Sequence, residues 1–140
     1  MYSWIVRWML QRTVAASRRG DIEPHLRNCA DDVEFEFGGQ SSWTQHSHTK
    51  AELRPWLERF ARIGLQFYAD RIDVKGPPWN TRVYITFHDH LDAPDGTRVY
   101  DNTGVMVARI SWGKTKYIKV IEDTQQVAAL DEWLSVNEPR

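Results

Sequence analysis

One cysteine in 140 residues, Cys29, leaves the chain without an intramolecular disulfide, so its stability has to come from packing. No stretch approaches the ~18 consecutive apolar residues of a membrane span, which excludes a helical transmembrane class. The first residues lack the apolar core and small-residue cleavage site of a secretory leader, and a cytoplasmic location is expected. Neither sign of charge dominates. Eighteen Lys and Arg against nineteen Asp and Glu, interspersed, give a formal charge of −1. A nucleic-acid or anionic-membrane surface needs a one-sided positive field, so neither partner is expected. What the chain has in excess is aromatic bulk: seven Trp, five Tyr and five Phe. Side chains of that size line cores, pockets or interfaces.

The stretch from Thr97 to Thr124 organises the rest. Two segments rich in Val, Ile and Tyr flank Ser111-Trp112-Gly113-Lys114-Thr115, the pattern of a long antiparallel hairpin. Val99 and residues 105 to 108 are apolar on both phases, which predicts a mid-sheet ribbon with helices on one face and room for a partner subunit on the other. Before it, Trp4, Ile5, Trp8, Met9, Ala15 and Ala16 recur at helical spacing, predicting a helix over 3–18 that ends at Gly20. Asp21 is a candidate cap for a short second helix carrying Pro24 and Leu26. Val33 to Phe37 alternates as a half-buried strand, and Gly38 to His48 reads as a loop with room for a short edge strand.

Thr49 to Glu52 has the form of a capping box for a helix bearing Leu53, Trp56, Leu57 and Phe60, with Pro55 leaving its first turn open. Residues 66–75 and 82–91 follow as strands, separated by Gly76-Pro77-Pro78, and Asp123 or Thr124 caps a last helix with Val127, Leu130 and Leu134 as its stripe. Strands joined in sequence make an antiparallel meander. The expected architecture is one α+β domain over 1–140, a strongly curved antiparallel sheet wrapped into a cone around the N-terminal helices, with a C-terminal helix. Its mouth is the expected ligand site.

Asp89 is the residue that breaks the pattern. Val83, Ile85, Phe87 and Leu91 share its phase, while Tyr84, Thr86, His88 and His90 take the other. A carboxylate in an apolar row is what a general acid or base looks like; the alternative is an Asp that caps a turn or meets Arg82 or Arg109. Asp70 and Tyr68, read as sharing the buried phase with Ile72 and Val74, form a second candidate acid and a hydrogen-bond donor, against the alternative of hydrated tips. Phe35, Phe37, Trp43, Trp56, Phe87, Met106 and Val120 are candidate walls of an apolar site, and Asn102 a candidate to orient a substrate oxygen. Glu122, in phase with Ile118 and Val120, reaches toward the rim.

His46-Ser47-His48 and His88-Asp89-His90 have a spacing that metal sites use. Both pairs are read as surface or interface histidines, and no metal and no cofactor are expected. Cys29 has no local partner to activate it.

Gly20-Asp21, Ala30-Asp31-Asp32-Val33-Glu34-Phe35, Lys50-Ala51-Glu52-Leu53, and Trp112-Gly113-Lys114 followed by Glu122-Asp123-Thr124 resemble the pattern of the NTF2-like superfamily, in particular its SnoaL-like branch. The resemblance covers essentially the whole chain. It implies a homodimer through the sheet and a small apolar ligand, on a fold that hosts isomerases, polyketide cyclases, epoxide hydrolases and binding modules. The epoxide-hydrolase-like pattern sets its aspartate at Asp89, with Phe87 where that pattern has Arg and Val120 near its last-strand aspartate. Two functions follow as expectations: cofactor-free acid–base chemistry on an apolar cyclic, polyketide-, terpene- or steroid-like molecule through Asp89, or a non-catalytic ligand-binding or dimerisation module.

Overall fold

The turn Trp112-Gly113 closes the central hairpin with φ of 50° and 79°. Two successive left-handed residues are what a two-residue turn needs to follow the twist of its strands, and Gly113 adopts this at no steric cost. In the computed structural model, which describes residues 2–139, this turn joins β5 (Arg98–Ser111) to β6 (Lys114–Glu122). Earlier in the chain come α1 (Tyr2–Arg18), α2 (Glu23–Asn28), β1 (Cys29–Phe37), β2 (Gln45–Ser47), α3 (Lys50–Ile63), β3 (Gln66–Lys75) and β4 (Thr81–Asp92). The last element is α4 (Thr124–Asn137).

The six strands form one sheet in the order β2-β1-β6-β5-β4-β3. Alternation sorts it into two faces. Val83, Ile85, Phe87, Asp89 and Leu91 of β4 are buried, and their register partners Ala108, Met106, Gly104, Asn102 and Tyr100 continue the same face across β5. Ile118 and Val120 extend it into β6, and Val33, Phe35 and Phe37 into β1. The helices cover this face. Tyr2 Oη meets Thr81 Oγ1 at 2.9 Å and Arg18 Nη1 donates to the Phe67 carbonyl at 2.8 Å, pinning both ends of α1 along the β3–β4 side.

The capping box forms as its residues predict: Thr49 Oγ1 accepts from the Glu52 amide at 3.1 Å and donates to Glu52 Oε1 at 2.9 Å. Pro55 lies inside α3, which therefore begins before the open boundary. The loop after β1 folds inward at Trp43, which is 3% exposed and sits edge-on to Trp56 at 5.4 Å. Among the described residues no helix is long and apolar enough to cross a membrane.

The expected cone does not form. The sheet is open, with β2 and β3 as free edges, and it is mixed rather than antiparallel because β1 runs parallel to β6. The reason is non-local. Neighbouring strands joined by turns pair antiparallel, but β1 is separated from β6 by most of the chain and docks on it after α3 has carried the chain across the sheet, so a parallel pairing becomes accessible.

A second correction concerns β3. Its pairing with β4 slips between Ala69 and Arg71, leaving Asp70 as the extra residue of a bulge. One inserted residue reverses the phase. Phe67 and Ala69 face inward before it, Ile72 and Val74 after it, and Tyr68 points out.

Candidate functional site

Between the helices and the inner face lies a cavity of about 110 Å³ with an almost wholly apolar lining. α1 contributes Leu10, Thr13 and Val14; α2 contributes His25; α3 contributes Leu53, Trp56, Leu57 and Phe60; the floor is Phe35, Phe67, Ile85, Met106, Ile118 and Val120. Two carboxyl groups open into it, Asp89 and Glu122. Both also border a void of about 20 Å³ behind, walled by Phe37, Trp43, Tyr100 and Leu130 among others.

Asp89 is 3% exposed and its Oδ1 has no hydrogen-bond partner among the described residues. The ion-pair alternative fails on phase: Arg82 and Arg109 pair with each other in register, both exposed on the outer face. Burial raises the Asp89 carboxyl above its ordinary range, and the Glu122 carboxylate raises it further by charge and by accepting its proton. Burial likewise raises Glu122, while the Tyr100 hydroxyl, donating to Oε2 at 2.8 Å, and the Asp89 proton oppose the rise. Burial thus pushes both carboxyls upward, and the repulsion between them favours a pair that holds one proton.

Gly104 makes this approach possible. Asp89 is on β4 and Glu122 on β6, two strands or about 9–10 Å apart, with β5 between. Gly104 is the register partner of both Phe87 and Glu122. A Cβ there would lie 2.4 Å from the Ile121 carbonyl oxygen, 2.7 Å from Phe87 Cζ and 3.1 Å from Glu122 Cγ. The space that a side chain would occupy is taken by the Ile121 carbonyl and the Phe87 ring, with Glu122 Cγ at its edge.

Asn102 stands behind the pair rather than in the cavity. Its Nδ2 donates to Tyr100 Oη at 2.9 Å and to the Asp123 carbonyl at 3.1 Å, and its Oδ1 accepts from the Thr103 amide at 2.9 Å. With both amide hydrogens engaged, it orients Tyr100 and not a substrate oxygen. Phe87 packs beneath, against Phe67 at 4.5 Å, and lies outside the cavity lining. Phe35, Trp56, Met106 and Val120 do line the main cavity, whereas Phe37 and Trp43 wall the smaller void.

Asp70 and Tyr68 are not brought to Asp89. The bulge sets them on the outer phase, where Asp70 Oδ1 meets His88 Nδ1 at 2.8 Å and Tyr68 stacks on His88 at 4.9 Å, with the Arg18 guanidinium 4.4 Å from the centre of the Tyr68 ring. His25 is a cavity residue that sequence reasoning missed, since a short helix carries no phase signal. Packing pushes its imidazole down to about 4, so it is neutral at pH 7, with Nδ1 3.8 Å from Cys29 Sγ. Burial pushes the Cys29 thiol up to about 11, which leaves it a weak nucleophile. Tyr100 was missed as well. Its signal was its place on the phase of Asn102 and Gly104, unreadable until the register with Asp89 was known.

A buried pair of carboxyls with one proton between them can protonate one atom and deprotonate another in the same site. No protein-family model and no curated protein matches the chain. Solved structures do. An NTF2-like protein from Burkholderia xenovorans is 18% identical, with a TM-score of 0.67 over 89% of this chain and 93% of its own. An NTF2-like protein of unknown function from Burkholderia pseudomallei is 15% identical, with a TM-score of 0.70 over 92% and 94% of the two chains. An epoxide hydrolase/cyclase-like enzyme with a role in pyran ring formation in the polyether salinomycin is 12% identical, with a TM-score of 0.68 over 86% and 92%. At such identities the likeness is one of fold: the chain has the NTF2-like α+β fold, which small-molecule enzymes also use.

Proposed function

We propose that this chain is a cofactor-free acid–base enzyme of the SnoaL-like kind, acting on a small apolar cyclic molecule by isomerase-, cyclase- or epoxide-hydrolase-like chemistry. The observation that carries the reading is the unpartnered Asp89 Oδ1 in an apolar cavity that it shares with the Glu122 carboxyl. An unsatisfied buried polar atom costs about 1–3 kcal/mol, a cost that a substrate group hydrogen-bonded to Oδ1 would offset.

Asp89 acts as the general acid. Its proton goes to a substrate oxygen, such as that of an epoxide or a carbonyl, as the bond to that oxygen breaks or polarises. Glu122 acts as the base and takes a proton from the attacking hydroxyl or the acidic C–H. Transfer of that proton along the Glu122–Asp89 hydrogen bond restores the starting state, so no external acid is consumed. Tyr100 Oη holds Glu122 at 2.8 Å and Asn102 holds Tyr100, which keeps the base aligned through the cycle. The cavity is of the same order as the ~150 Å³ apolar cavities that take up benzene, which favours a substrate with one ring in the site.

The test is turnover of a panel of cyclic epoxides, lactones and ketones by wild type, Asp89→Asn and Glu122→Gln. Each substitution is expected to lower kcat by about 10²–10⁴ while the protein stays folded. Activity should be bell-shaped in pH, since only the singly protonated pair works. Ligands bound alike by all three proteins and converted by none would make the chain a binding module.

A further inference from the structure

The outer face of the sheet carries a second cluster of chemistry-bearing side chains, at the β1–β2 edge. Alternation along β1 buries Val33, Phe35 and Phe37 and turns Glu34 and Glu36 outward. The antiparallel register pairs Phe35 with Ser47 and Glu36 with His46, so the next step sets His48 beside Glu34. Ser47 is buried and both histidines are exposed. Two carboxylates on one strand thus face two imidazoles on the next.

The distances are short. His46 Nε2 lies 2.6 Å from Glu34 Oε2 and 3.2 Å from Glu36 Oε1, and the rings of His46 and His48 are 4.8 Å apart. One ligand atom from each of Glu34, His46 and His48 falls within 4.8 Å of the others. An ion pair would need only one imidazole. Among the described residues His48 makes no hydrogen bond or ion pair of its own. Lys119 Nζ, 3.9 Å away, and the Tyr117 hydroxyl, at 2.8 Å, both address Glu36 Oε2, which leaves Oε1 toward His46.

We propose that Glu34, His46 and His48, with Glu36 as the fourth ligand, bind a divalent transition ion such as Zn²⁺. Two imidazoles and a carboxylate are a set that borderline metals favour, and a second carboxylate makes the complex neutral. Bonds of ~2.1 Å at tetrahedral angles put ligand atoms about 3.4 Å apart, a closure within reach of exposed side-chain rotation. The ion would tie the three-residue β2 to β1, and with it the loop that inserts Trp43 beside the smaller void. This differs from the expectation of no metal drawn from the sequence, where the first histidine pair falls in a loop and the second on the polar phase of its strand, opposite Asp89.

Calorimetric titration of the full chain with Zn²⁺ tests it, alongside the visible spectrum of the Co²⁺ form. One ion per chain is expected, with tetrahedral Co²⁺ absorption, and a melting temperature that rises with Zn²⁺. His46→Ala and His48→Ala should each weaken binding by at least about tenfold, the scale that even outer partners of a metal reach. The double variant His88→Ala/His90→Ala should bind as wild type does. Absence of saturable one-to-one binding overturns the proposal, as does binding undiminished without His46 and His48, or binding lost with His88 and His90.

Discussion

Asp89 and His25 titrate in opposite senses, and each leaves its mark on stability. Asp89 is raised above its ordinary 3.8 by burial and by Glu122, so the folded state holds a proton that the unfolded chain has released. Its contribution is complete below pH 3.8 and is lost as pH rises through the folded value, by up to about 1.4 kcal/mol per pH unit. Asp89→Asn is therefore expected to be more stable than wild type, by a margin that widens from about pH 5 to about pH 8 in urea titrations. A gap that stays constant would place Asp89 in water. His25 is lowered from 6.5 to about 4 by burial, so its contribution is present above 6.5 and is lost as pH falls toward about 4. His25→Gln should flatten that acid limb and leave the alkaline one unchanged.

Among the elements, β5 is the one whose composition shapes the site. Gly104 has ordinary backbone angles, so its requirement is space and not a left-handed φ. Gly104→Ala must displace either the Ile121 carbonyl or the Phe87 ring, at a cost of roughly 1–3 kcal/mol. It also crowds Glu122 away from Asp89. Denaturant unfolding reads the first effect; a shallower alkaline loss of stability, from an Asp89 freed of its anionic neighbour, reads the second. On β3 the bulge at Asp70 shows the limit of phase arguments. Alternation in 66–75 is regular enough to name a buried row, yet one unpaired residue moves Tyr68 to the other face, and no residue type in that stretch marks the slip.

At the scale of the molecule, the helices consume the inner face and leave the outer one bare. Tyr84, Val105 and Ile121 are 40%, 38% and 51% exposed there. The homodimer expected from the resemblance would use this face, since an isologous contact needs one self-complementary patch. Light scattering should return twice the mass of one chain, and Ile121→Lys should halve it without altering turnover. A monomeric wild type would end that expectation.

The residues themselves determined the elements and the odd carboxylate. The capping box at Thr49, the left-handed turn at Trp112-Gly113 and the alternation around Asp89 are local patterns, set by hydrogen bonds and side-chain periods within a few positions. Phe35, Trp56, Met106 and Val120 could be assigned to an apolar interior on the same grounds. The partner of Asp89 could not. Glu122 lies 33 positions further on, on the inner phase of its own strand, and comes near Asp89 only because the β4–β5 and β5–β6 registers bring it level with Phe87, one inner-face step from Asp89. The parallel docking of β1 on β6, the open sheet and the Glu34–His46–His48 cluster have the same origin. Pairing between distant segments is decided by which burial of the whole chain is lowest in free energy, and no window of sequence contains that comparison.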